Sequence, residues 1–205
     1  MSTAATAKGR IRIYLTGVGG QGTLTATTLL ARTALDQGLE VTSGEIHGMA
    51  QRGGVVESTI LLGGWMSPKI GHGEADLILG FEPLETLRGM THLAAGGSVL
   101  SNTEPLPPVG VSTGREAYPE MERIRAKVEG CAAKSWFLPC RTLGLQAGSV
   151  QAGNSVLLGA ACATGLLPFG PEALEAAIRV HLAPKLMDMN LRAVELGVRA
   201  VASAS

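Results

Sequence analysis

Between residues 17 and 22 the chain reads GVGGQG, and Gly17, Gly19 and Gly22 satisfy the spacing Gly-x-Gly-x-x-Gly. Such a cluster is suited to holding an anion. Glycine adopts positive φ angles and lets a ligand approach the backbone, while the free N–H groups at a helix start attract negative charge. An apolar run ends just before the cluster and a helical pattern begins just after it. Gly19, Gly20, Gln21 and Gly22 therefore stand where a dinucleotide pyrophosphate rests in doubly wound folds. Two readings are open at this point, an anion or nucleotide site and a tight turn that serves only packing. The dinucleotide version further needs an acid at the end of the second strand, and Glu45 is at about that position.

A second polar segment, GEIHGMAQRGGVVES, begins at Gly44. Arg52 could clasp a phosphate or carboxylate bidentately, or tie structurally to Glu45 or Glu57. His47, uncharged by default at neutral pH, is either a packed or solvent residue or a catalyst. Gln51 offers only hydrogen bonds. Flanked by two strands, this segment is expected at the carboxyl end of a sheet, where ligands bind. Glu74 and Asp76 precede a strand and suit turn or capping duties. No nucleophile, base and acid stand in a recognisable constellation. Cys131, Cys140 and Cys162 form no Cys-x-x-Cys pair, so neither a zinc knuckle nor an iron–sulfur site can be built from their spacing; reduced, packed thiols are expected.

The elements that must position these residues alternate. Strands are expected at 10–16, 39–43, 54–64, from Ala75 before a helix reaching Met90, at 97–102 and at 135–140. Helices are expected at 20–37, with Gly38 as its terminator, and at 118–130. The first strand, helix and second strand read as a strand–helix–strand unit. Three more helices follow, at 154–168, 171–182 and 184–203, and the Pro-rich stretch 102–110 reads as a surface connection. The fold class is α/β: an open, mostly parallel Rossmann-like sheet with helices on both faces and a C-terminal helical layer. A disordered tail over 1–9 and one domain over 10–205 complete the division.

Composition narrows function. The 205 residues are 45% hydrophobic and 17% charged with no net formal charge, an ordinary globular balance. That balance gives no footprint for nucleic acid or a membrane surface, and aromatics at 3% offer few stacking platforms. No apolar stretch approaches the roughly 20 residues a bilayer requires. The opening MSTAATAKGR is too polar for a signal-peptide core, so a cytoplasmic protein is expected.

Taken together, GVGGQGTLTATTLLARTAL, HGMAQRGGVVESTILLG and SPKIGHGEADLILGFEPLETLR resemble the gamma-type chain of the 2-oxoacid:ferredoxin oxidoreductases. The resemblance is nearest to the small (beta) chains of the indolepyruvate type. GNSVLLGA and KLMDMNLRAVELG, toward the C-terminus, are similar to that family's Asn-containing and terminal helices, so the likeness runs from about Arg12 to Ala200. It implies thiamine-diphosphate-dependent oxidative decarboxylation of a 2-oxoacid, here an aryl pyruvate such as indolepyruvate. The products would be an acyl-coenzyme A, carbon dioxide and reduced ferredoxin. The chain shows no Gly-Asp-Gly followed by Asn and no clustered cysteines. Thiamine diphosphate, Mg2+ and 4Fe–4S clusters are accordingly expected on a larger partner subunit. The resemblance then makes Gly17, Gly19, Gly20, Gln21 and Gly22, with His47, Gln51 and Arg52, the candidate edge facing coenzyme A or the partner. The alternatives are a stand-alone NAD(P)- or ATP-binding enzyme and a purely structural subunit.

Overall fold

The computed structural model describes residues 10–47 and 53–204. The expected tail over 1–9, together with Gln51 and Arg52, lies outside the described residues. The chain begins with β1 (Ile11–Val18), α1 (Thr23–Asp36), β2 (Val41–His47), β3 (Val55–Leu62) and β4 (Ala75–Gly80). Next come α2 (Pro83–Gly89), β5 (Leu93–Asn102), the one-turn α3 (Val109–Ser112), α4 (Met121–Glu129) and β6 (Lys134–Leu138). Four helices close it: α5 (Cys140–Ala147), α6 (Gly153–Ala163), α7 (Pro171–His181) and α8 (Pro184–Ser203).

The six strands form one sheet in the order β2-β3-β1-β4-β5-β6. β1, β4, β5 and β6 run parallel, whereas β3 is antiparallel to both β1 and β2. The expected mostly parallel α/β sheet is therefore present, with one correction: β2 does not lie beside β1, because β3 is inserted between them. β2 also continues to His47, four residues past the expected end, with Gly44 opposite Thr59, Glu45 opposite Ser58 and His47 opposite Val56. An edge strand has one free side, so the polar residues that mimic a loop in sequence are tolerated in a ladder.

Pleating sorts the core into two layers. Ile13 and Leu15 of β1, with Leu77 and Leu79 of β4, pack beneath α1 and the C-terminal helices. Tyr14 and Ile78, the alternate residues, join Val99, Ile124 and Val128 on the face covered by α2 and α4. α6 and α8 approach closely because of two glycines. A Cβ on Gly197 would fall 2.0 Å from the Val156 carbonyl oxygen, and one on Gly159 2.6 Å from that of Val194.

Two further boundaries differ from expectation. β6 ends at Leu138, and Pro139 leads into α5, a helix the apolar pattern does not announce. Proline has no N–H for a ladder and suits a helix entry. α6 stops at Ala163, short of Pro168, where Gly165 takes a φ of 73°.

Candidate functional site

The helix after β1 (α1) covers one face of the sheet, and the helix after β4 (α2) covers the other. Between these neighbouring parallel strands the connections diverge, which opens a crevice outside their carboxyl ends, the usual ligand position in open α/β sheets. A cleft of about 190 Å3 lies there, lined by Gly20, Gln21, Phe81, Asn102, Leu106, Cys140, Arg141, Val150, Gln151, Gly153, Asn154 and Leu157.

The glycine loop is held in place from below. Gln21 Oε1 accepts the Val18 N–H at 2.7 Å, its Nε2 donates to the Phe81 carbonyl at 3.2 Å, and Asn154 Nδ2 donates to the Gln21 carbonyl at 2.7 Å. Gly17 sits under this arrangement, where a Cβ would come within 2.9 Å of Gln21 Oε1 and of Thr23 Oγ1. Gly20 and Gly22 have φ angles of 97° and 79°, which glycine alone adopts without strain.

The two glycine-rich segments meet. The Gly19 N–H donates to the Gly54 carbonyl at 2.7 Å and the Gly53 N–H donates to the Gly19 carbonyl at 3.1 Å. The carboxyl-end position expected for the second segment is thus occupied by its described ends, at His47 and at Gly53–Gly54. His47 is placed by its backbone pairing with Val56.

These bonds divide the loop's amides. Those of Gly19 and Gln21 are used internally, the latter on the Val18 carbonyl at 3.1 Å. Those of Gly20 and Gly22 donate to no other described residue. The first intrahelical bond of α1 runs from the Ala26 N–H to the Gly22 carbonyl, so the amides of Thr23, Leu24 and Thr25 are also free of helical partners. α1 has no side-chain cap and no acid in its first turn.

The opposite rim is closed. Glu104 accepts the N–H groups of Arg141 at 2.6 Å and Thr142 at 2.9 Å, and the Thr142 hydroxyl at 2.6 Å, so a carboxylate from within the chain occupies the start of α5. Asn102 fixes this corner: its Nδ2 donates to the Phe81 and Glu104 carbonyls, and its Oδ1 accepts the Cys140 and Glu104 N–H groups. Burial and the Glu104 charge raise the Cys140 thiol, and burial pushes Cys162 up to about 12, so both are protonated packing groups at neutral pH. Glu74 accepts the Gly71 N–H at 2.8 Å, the turn role expected of it, whereas Asp76 instead receives the Arg12 N–H at 2.8 Å. Asn102, Glu104 and Arg141 carry no motif, since their roles depend on elements distant in sequence.

The model of the pyruvate ferredoxin/flavodoxin oxidoreductase family matches residues 12–200. The chain belongs to this family. It is 42% identical to the indolepyruvate oxidoreductase subunit IorB of Thermococcus kodakarensis over 92% of its own length and 94% of the relative's. To IorB of Pyrococcus horikoshii it is 43% identical, with the same coverage. Its fold matches a pyruvate oxidoreductase subunit of Thermotoga maritima with a TM-score of 0.72 at 21% identity, covering 93% of this chain and 96% of that one. It also matches the 2-oxoglutarate:ferredoxin oxidoreductase of Magnetococcus marinus with a TM-score of 0.70 at 15% identity. That structure holds 2-oxoglutarate, coenzyme A and succinyl-CoA, and the match spans 96% of this chain but 32% of that longer one. The family member described here is an IorB-like small subunit of an oxidoreductase. Among its described residues no three His, Cys, Asp or Glu side chains are grouped to hold a metal, and no helix is long and apolar enough to cross a membrane.

Proposed function

We propose that this chain is the small subunit of a cytoplasmic oxidoreductase that converts an aryl pyruvate such as indolepyruvate to its acyl-coenzyme A, with carbon dioxide released and ferredoxin reduced. In this reading thiamine diphosphate, Mg2+ and the 4Fe–4S clusters reside on the larger subunit. The thiols here do not fit a 4Fe–4S cluster: the chain has three cysteines where such a cluster takes four, with Cys140 and Cys162 buried and Cys131 exposed. No catalytic step is assigned to this chain.

Its contribution is the open rim of the cleft. The observation that carries this is the uncapped start of α1, with the Gly20 and Gly22 amides unpaired among the described residues, at the crevice between β1 and β4. Coenzyme A is the anionic co-substrate of the proposed reaction, and a helix start with free amides is a complementary surface. A cleft of about 190 Å3 is smaller than the roughly 300–1,000 Å3 of pockets that enclose a small molecule. It would therefore receive part of coenzyme A, the remainder resting on the partner.

Narrowed by the hydrogen bonding, the ligand-facing groups are Gly20, Gly22 and the first turn of α1, while Gly17, Gly19 and Gln21 hold the loop. Arg52 is proposed to add charge beside them. Calorimetric titration of coenzyme A into the co-expressed complex should show affinity about tenfold weaker after Arg52→Ala, the scale of one charge-assisted contact; unchanged affinity would remove Arg52 from this role. Reduction of a viologen dye by the same complex should be fastest with indolepyruvate among aryl, branched-chain and simple 2-oxoacids.

A further inference from the structure

On the face of the sheet away from α1, two glutamates with no solvent exposure lie one helical turn apart, Glu82 before α2 and Glu85 within it. Their surroundings differ. Glu82 Oε2 caps α2 by accepting the Glu85 N–H at 2.9 Å, and its Oε1 accepts the Tyr118 hydroxyl at 2.5 Å and the Leu106 N–H at 3.3 Å. Glu85 Oε1 accepts from Arg88 at 2.6 Å, while its Oε2 is buried with no hydrogen-bond partner among the described residues. Arg88 also reaches Glu116. Both glutamates therefore hold down the connection over 103–120, Glu82 directly through Tyr118 and Leu106, Glu85 through Arg88 and Glu116.

This connection borders the cleft. Leu106 lines it, and so does Phe81, the residue before Glu82, whose carbonyl receives both Gln21 and Asn102. We propose that the Glu82–Glu85 pair is a proton-dependent latch that fastens the 103–120 connection to α2 and so sets the width of the cleft.

The charged and titratable groups around Glu85 explain the direction. β3 contributes Glu57, β1 contributes the buried Tyr14 hydroxyl, which faces Glu57 and whose ring stacks on His92, and the connection contributes Tyr118. α4 presents the apolar Ile124 and Val128 to this layer. Arg88 is the one cation paired with Glu85 among the described residues. Burial, with the charges of Glu82 and Glu57 adding to it and Arg88 opposing it, pushes the Glu85 carboxyl up to about 7; burial also raises Glu82. A carboxyl raised on folding binds its proton more tightly in the fastened state than in the open one. The latch is thus most secure below the ordinary carboxyl range and loosens as the pH rises from there to about 7, as a second charge with one unpartnered oxygen appears in a closed acidic pocket.

Hydrogen exchange of the Leu106 and Glu85 amides, both donors to Glu82, reads the latch in the full chain assembled with its partner. After correction for the intrinsic pH dependence of exchange, protection should fall about tenfold between pH 6 and 8 in the wild type, the effect of one pH unit of linkage. The fall should be smaller in Glu85→Gln, where only Glu82 of the pair is left to titrate. A profile flat in the wild type, or the same in Glu85→Gln, overturns the latch. Should that variant fail to fold, Arg88→Gln serves: losing the cation moves the midpoint upward, and an unmoved midpoint contradicts the proposal.

Discussion

Two helices begin on the rim of the same cleft and treat their N-termini in opposite ways. α5 receives the Glu104 carboxylate on two backbone amides and a hydroxyl. α1, begun by Gly22, receives no side-chain cap among the described residues and carries no acid in its first turn. Helix starts present the same unsatisfied donors and the same partial positive charge, so the difference lies in what the sequence supplies to each. A helix end satisfied internally is a structural joint. One left open beside a cleft, on a loop whose other amides are tied down, is a place for an anion from outside.

The largest effect should come from opening the closed end. Glu104→Ala removes a charged cap from three donors and should cost about 2–3 kcal/mol. For a chain of this size that lowers the melting temperature by roughly 4–10 °C, measurable by calorimetry. A shift below a degree would mean that α5 is satisfied without Glu104 and that the contrast is smaller than the hydrogen bonds indicate. Next in size is Gly22→Ala, with α1 as target. A φ of 79° costs a non-glycine residue about 1–2 kcal/mol, and the new Cβ would stand 2.9 Å from Asn154 Nδ2. A double-mutant cycle with Asn154→Ala separates the two contributions: the crowding part should vanish in the double variant and the backbone part remain.

The same contrast explains how far the site was legible in sequence. α1's end was readable because its chemistry is local: strand, glycines and helix follow one another, and the spacing alone places Gly20 and Gly22 at the turn. The sheet's direction was equally readable from alternating apolar strands and amphipathic helices. α5's end was not, because Glu104 and Asn102 reach it across 38 or fewer residues of sequence through a strand and two helices. The insertion of β3 between β1 and β2 was hidden for a related reason. Pairing partners are set by topology, and the polar residues of β2 look like a loop until the neighbouring strand is present. Nothing local reveals that Glu85, within α2, is buried beside Glu57 and Tyr14.

The smallest change in stability makes the sharpest test. Gly20 lines the cleft, and a Cβ built on it meets none of the described residues within 4 Å, so Gly20→Asp should cost about 1 kcal/mol for its backbone conformation alone. Aspartate there would give α1 an internal carboxylate, as Glu104 does for α5. Coenzyme A titrated into the assembled complex should then bind at least about tenfold more weakly than to the wild type, with the complex intact. Undiminished affinity in an intact complex would contradict the claim that the open start of α1 faces the co-substrate.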